Sequence, residues 1–449
     1  MPFEQQPKKK SLIQGQTRIL LKNSSWVFAG NTIRAILVFV KAIILVNILD
    51  KEIYGVYIIV VEFVTMVLEF FNLNMGTSVI KFGADYRAKK EGRKFSGLLK
   101  LSLFTLFLSS LLSFIVLAFI LKVRYNTFIP EEGLQVYIYA YAVAGCLVFL
   151  ETTFLGVLRL FYKFKGMSVI RLLSTAFEVL IMSVMVWMSP TLIAAITALI
   201  ISRFVGTSIL VIGGIRLVKD DFDFDRESKM SDIKPEFVKI GSFTLSNSIG
   251  RSVQALIKRG DVMMLNIMLG ELAPPVVAVY NVAKKLGTAM MVIIDPLTNS
   301  ILPQLSNLLA KEKYRDTKKL LAQITGLALV AAVVGVVVTY FLKDFMLDIL
   351  FTEDYSESAT PLMVIVISSL FSAAFFWSLS LLQGLGLTWL RLWISIFSGI
   401  IGAIVAWITI PEFKATGAAL GAAAANIVMV SLFSALSYIK VVKLSKDAS

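Results

Sequence analysis

Apolar residues in this chain run in long, unbroken stretches, separated by short polar clusters. A membrane-crossing helix needs about 20 mostly apolar residues. Twelve such stretches fit, near 24–49, 53–80, 98–121, 134–160, 168–188, 190–217, 237–269, 276–310, 319–350, 359–383, 388–410 and 416–440. The runs do not alternate apolar and polar at period two, which excludes a transmembrane β-barrel. The pattern predicts an all-α integral membrane protein with about 12 transmembrane helices. The longest polar interruption, KDDFDFDRESKMSDIKPEF at 218–236, falls after the sixth stretch. It divides the chain into a basic tail (1–23), a six-helix lobe (24–217), a linker (218–236), a second six-helix lobe (237–440) and a short tail (441–449).

Composition agrees with lipid as the main solvent. Of the 449 residues, 57% are hydrophobic and 16% charged, against about 25% charged in soluble domains; mean hydropathy is +0.80. The chain has no His and a single Cys, Cys146. Histidine-based catalysis, histidine metal sites and an intrachain disulfide are therefore excluded. No phosphate-binding G-x-x-x-x-G-K-[ST] loop occurs, and the interruptions are too short for a catalytic domain. The chain reads as a non-enzyme with no cofactor. Residues 1–23 lack the apolar core and cleavage site of a signal peptide.

The net charge of +14 is distributed by loop. One alternating set of tails and loops carries 28 Lys and Arg; the other carries five, Lys51, Lys122, Arg124, Lys343 and Lys414. This is the positive-inside pattern. It predicts a multi-pass protein of the cell membrane with both termini cytoplasmic. The basic loops then serve topology and anionic lipid heads, not nucleic acid.

A weak internal repeat relates the halves. Asn31, Arg34 and Lys41 in span one answer Asn247, Arg251 and Lys258 in span seven; Asn47 answers Asn266, and Tyr57 answers Tyr280. Both halves start on the same side, so the axis of pseudo-two-fold symmetry runs along the membrane normal. Charges within spans are costly, on the order of 2.5–3.5 kcal/mol each, yet they recur in spans one, two, seven and eight. Asn247, Arg251, Gln254, Lys258 and Asp261 step by four and three along one helix face. Glu62, Thr65, Glu69 and Asn72 do the same. Span eight carries Asn281, Lys284, Lys285, Thr288, Asp295 and Asn299. These stripes are expected to line one central cavity. The alternative is that the charges pair and lock helices together, with Arg34–Glu69 and Lys258–Asp261 as candidate pairs. Arg203 and Glu178 read as a structural pair. Asp295-Pro296 is either a gating hinge or a static kink. Gly384, Gly386, Gly399, Gly402, Gly417 and Gly421 suit close helix packing.

Four passages carry a family resemblance: KNSSWVFAGNTIRAILVFVKAIILVNILDKEIYGVYIIV, IKRGDVMMLNIMLG followed by VAVYNVAKKL, LFTEDYSESATPLMVIVIS, and IPEFKATGAALGAAAANIV. Together they resemble the polysaccharide transporters, or O-antigen flippases, of the multidrug/oligosaccharidyl-lipid/polysaccharide exporter superfamily, over about residues 17–440. The resemblance implies two lobes that open alternately to each side of the membrane. It implies a lipid-linked oligosaccharide as cargo, with membrane lipid and polysaccharide-assembly membrane proteins as candidate partners.

On that reading Arg34, Lys41, Arg251, Lys258, Arg259, Lys284 and Lys285 are candidates for the cargo's phosphate or pyrophosphate, because cations suit phosphate oxygens. Asn31, Asn247 and Gln254 are candidates for sugar hydroxyls. Glu62, Glu69 and Asp295 are candidates for a coupling Na⁺ or proton. The competing readings are an ion-coupled exporter of small molecules, a non-transporting envelope scaffold, and a multi-pass glycosyltransferase or polymerase. An exporter of cationic drugs should favour an acidic cavity, a scaffold has no use for polar stripes, and a transferase wants a larger outer loop.

Overall fold

A computed structural model describes residues 9–129, 131–218, 227–289, 301, 305, 308–309, 311–385 and 387–447. Among them no strand occurs, as the apolar pattern predicts. The helices are α1 (Lys9–Ile48), α2 (Lys51–Phe71), α3 (Met75–Ala88), α4 (Gly92–Phe128), α5 (Gln135–Leu160), α6 (Phe164–Met188) and α7 (Leu192–Val218) in the first lobe. The second holds α8 (Phe237–Leu269), α9 (Ala273–Ala289), α10 (Tyr314–Leu350), α11 (Ala359–Ala374), α12 (Ser378–Gly384) and α13 (Thr388–Asp447). Ten helical segments are long and apolar enough to cross a membrane. Two of these run through more than one expected span: Met230–Ala289 holds the seventh and the start of the eighth, and Leu390–Lys446 the last two, so about 12 spans stands.

Expected span two is broken. Asn72 takes an extended backbone (φ −73°, ψ 101°) that ends α2, and α3 resumes at Met75. Just past the break Gly76 crosses Gly156 of α5. A Cβ on either would collide with backbone across the crossing, so the absence of side chains sets the depth of the contact. The last two spans form a hairpin within α13. It reverses at Lys414, whose φ is 48°, a left-handed value uncommon outside glycine. Gly402 and Gly421 face each other across it, each Cβ position filled by the other's carbonyl oxygen or by Ala425 or Ala406. The expected small-residue packing holds at this pair.

The lobes meet chiefly where α2 packs on α8 and α9. At the end of the molecule poor in Lys and Arg they are tied by polar contacts. Asn47 donates to the Leu350 carbonyl at 2.9 Å, and Asn266 donates to the Phe128 carbonyl at 3.0 Å. Each Asn thus reaches from the first helix of its lobe to the end of the helix that carries the third expected span of the other. The two positions paired by the sequence repeat make reciprocal bonds, as a two-fold axis along the membrane normal requires. Tyr54 adds a bond to Asn281 at 3.0 Å, and Lys51 reaches the Asp354 carbonyl at 2.8 Å.

Gly55 lies against the Pro274 carbonyl oxygen in this tie, with no room for a Cβ. Gly55→Ala should therefore pry the lobes apart at this end. With Thr65→Cys as reporter in a Cys146→Ala background, an impermeant thiol reagent added at the Lys/Arg-poor side should label the Gly55→Ala protein faster. Equal labelling would show that the tie does not gate access.

Candidate functional site

A cavity of about 530 Å³ lies between the lobes, lined by α2, α5, α7 and α8. Its polar lining is Thr65, Glu69 and Asn72 from α2, Tyr141 and Thr152 from α5, Arg203 from α7, and Arg251, Gln254, Lys258 and Arg259 from α8. The break after α2 leaves Asn72 on its wall. Arg251, Gln254 and Lys258 follow the three-and-four spacing expected of one helix face, and all three are exposed. Thr65 approaches the Tyr141 hydroxyl at 3.4 Å.

The charges divide into engaged and free. Arg259 is held by two of the three candidate coupling carboxylates: it bonds Glu62, and it makes bonds to the two oxygens of Glu69 at 3.1 and 3.2 Å. This triad crosses from one lobe to the other. By contrast Arg251, Lys258 and Arg203 make no ion pair among the described residues. With its amide oxygen turned toward α13, Gln254 accepts from Arg391 at 3.0 and 3.3 Å. Four cations and one carboxylate line the cavity, and that carboxylate is already paired with Arg259. The field facing cargo is positive.

Several expected positions lie elsewhere. Arg34 donates to Thr175 of α6 at 3.0 Å, and Lys41 pairs with Glu178 of α6 at 2.5 Å. Both point into the first lobe, because α1 packs along α6. The expectation that span one shares the central lining is revised accordingly. The expected Arg203–Glu178 pair is replaced by Lys41–Glu178. Neither Arg34–Glu69 nor Lys258–Asp261 forms. Asp261 is taken by Lys284 and the Tyr280 hydroxyl, each at 2.5 Å, since α9 crosses α8 there; Lys284 also donates to the Lys258 carbonyl at 3.0 Å. Lys285 sits among Lys41, Glu62, Lys258 and Lys284. Asn31 and Asn247 are exposed and outside the cavity lining. Asp295 lies outside the described residues.

The sequence reading missed Tyr141, Thr152, Arg171 and Arg391 and gave Arg203 a structural role. An unmatched cation in an apolar span was the available signal for Arg203; the neutral residues carried none.

On the opposite side of α8 from the cationic face, an apolar groove of about 450 Å³ runs between α8 and α13, with Val253, Leu256, Ile257, Ile396 and Ile400 on its walls. Gly399, Gly402 and Gly421 form part of its floor. One helix thus carries a wet cationic face and a greasy one.

Comparisons with known proteins bear on this arrangement. The profile of a family described as "Polysaccharide biosynthesis protein" matches residues 20–309, and that of the MatE family matches 262–408. No curated protein matches the sequence. Among solved structures, an inward-facing multidrug resistance MATE family transporter of the MOP superfamily is similar at TM-score 0.71 and 12% identity, covering 93% of this chain and 96% of that one. An outward-facing MATE transporter of the same superfamily gives 0.62 and 16%, with 95% and 96% covered. The Vibrio cholerae MATE transporter VcmN in its bent form gives 0.57 and 15%, with 96% and 98% covered. These likenesses establish the two-lobed fold.

Proposed function

The chain belongs to the polysaccharide biosynthesis protein family, and from that premise we propose that it is a flippase for an oligosaccharide linked to a polyprenyl phosphate or pyrophosphate. It is a membrane transporter of the superfamily that also holds the MATE exporters. The observation that carries the cargo assignment is the cationic face of α8: Arg251 and Lys258 meet a cavity of about 530 Å³ without counter-charges. Phosphate oxygens supply those charges through charge-assisted hydrogen bonds. Thr65, Asn72 and Gln254 offer donors and acceptors to sugars beside them, and the groove behind α8 suits a prenyl chain.

Orientation follows from the loops. The basic end faces the cytoplasm, so the tie through Asn47, Gly55 and Asn266 closes the outer side. Cargo loads from the inner leaflet, and the lobes then rock about α2 and α8 to release it outside. Single cysteines at 231 and 234 should label from the cytoplasmic side, and those at 126 and 353 from outside, all four positions being exposed. Outside labelling of 231 or 234 in intact cells would overturn this orientation.

Moving an anion out of a negative interior is favoured by about 2.3 kcal/mol per charge per 100 mV. Glu62 and Glu69 already satisfy Arg259, so a coupling ion would have to displace that guanidinium. Transport driven by the membrane potential needs no such step.

The MATE-like fold favours a second reading, a small-molecule exporter. The positive cavity argues against cationic drugs as its cargo. Proteoliposomes decide between the readings. A flippase gives protein-dependent transfer of a polyprenyl-pyrophosphate oligosaccharide between leaflets, faster with the potential negative on the loading side, and no accumulation of an organic cation. Accumulation of the cation with no lipid transfer would favour the exporter.

A further inference from the structure

A second polar space lies wholly inside the first lobe. It measures about 70 Å³ and is lined by α1, α5, α6 and α7. Three guanidinium groups line it, from Arg34, Arg171 and Arg203, with Glu151 and Glu178. Glu178 is committed to Lys41 at 2.5 Å, and Glu151 accepts from Thr207 at 2.9 Å. Arg34 has a single neutral partner, the Thr175 hydroxyl at 3.0 Å. The side chains of Arg171 and Arg203 make no hydrogen bond or ion pair among the described residues.

Counting Lys41, four cations face two carboxylates here. Guanidinium does not shed its proton in proteins, so the excess persists at every accessible pH. The hydroxyls do not relieve it. Ser174 donates to Ile170 or Gly206 carbonyls, and Ser202 to the Leu199 carbonyl. The unfilled capacity of the pocket is therefore donor capacity on arginine, which calls for an acceptor with negative charge. A cation would meet two carboxylates already engaged and three guanidiniums. The volume sets the size of the occupant. Drug-sized ligands need about 300 Å³ or more, several times the space here, so the occupant is small.

We propose that the pocket between Arg34, Arg171 and Arg203 is a binding site for a small inorganic anion of halide size. Arg203 also lines the central cavity, so the bound anion anchors that side chain within the first lobe. The site stands whether or not the cargo is a lipid-linked sugar, and its test uses no cargo.

The test is thermal unfolding of the purified protein in lipid nanodiscs, in sodium chloride, sodium bromide or sodium gluconate at equal ionic strength. A ligand of the folded state raises the midpoint with the logarithm of its concentration. The midpoint should rise with chloride and bromide but not with gluconate. The rise should vanish in Arg171→Gln and persist in Arg251→Gln, whose side chain lies outside the pocket. Should Arg171→Gln not fold, bromide anomalous scattering from crystals of the unaltered protein replaces it, with a peak expected between the three arginines. An equal halide response in Arg171→Gln would overturn the proposal. So would a sodium dependence in gluconate, bromide density confined to the central cavity, or stabilisation by inorganic phosphate with none by halide, which would assign the pocket to phosphoryl groups.

Discussion

Replacing Arg251 and Lys258 together by glutamine should abolish the proposed flipping while leaving the unfolding midpoint unchanged. Neither side chain makes an ion pair among the described residues, and both are exposed to the cavity, so their removal strands no partner. Hydrogen bonds to charged groups contribute about 1.5–3 kcal/mol. Each single substitution should then slow transfer by roughly ten- to a hundredfold, and the pair by more. Arg251→Lys separates charge from shape. Retained transfer means that charge suffices, and a loss close to that of Arg251→Gln means that the planar fork of arginine is used. Measured initial rates in proteoliposomes, beside unfolding curves, check all of these. A double variant that unfolds early would place both residues in helix locking instead.

Arg259→Gln has the opposite signature, with stability lost first. The guanidinium spans the lobes to Glu62 and Glu69, and its removal leaves two carboxylates facing each other at the interface. Breaking a buried pair costs roughly 3–5 kcal/mol. The low end applies here, because the Glu69 side chain is 43% exposed and cavity water screens it. Adding Glu62→Gln and Glu69→Gln to the Arg259→Gln protein removes the stranded charges and should restore the midpoint. Unfolding of the single and triple variants in nanodiscs is the check. No recovery in the triple variant would mean that Arg259 acts through packing of its stem.

The contrast between these residues explains what could be read from the sequence. Spans, the close packing at Gly402 and Gly421, and the repeat of Asn47 with Asn266 follow from length, residue size and spacing, which sequence records directly. The α8 face was legible for the same reason: Arg251, Gln254 and Lys258 share it whatever lies opposite. Charge partners were not legible, because they depend on how helices cross. Asp261 had Lys258 three residues away, yet α9 brings Lys284 to it. Glu178 had Arg203 as the evident partner, yet the packing of α1 on α6 delivers Lys41. The break at Asn72 carries no proline or glycine to mark it, so span two reads from the sequence as one continuous helix, whereas α2 ends at Phe71 and α3 starts at Met75. Span one shows the reach of the repeat: it identified symmetric positions but not symmetric surroundings, so Arg34 and Lys41 turn into their lobe while Arg251 and Lys258 face the cavity.

Cargo recognition by α8 is tested by a structure of the protein in nanodiscs with a polyprenyl-pyrophosphate oligosaccharide bound. Phosphate density should lie in the cavity between the lobes, within hydrogen-bonding distance of Arg251 and Lys258. Sugar should lie toward Thr65 and Asn72, and the prenyl chain outside the cavity. Phosphate density elsewhere, with the cationic face of α8 left in contact with water alone, would contradict this role for α8.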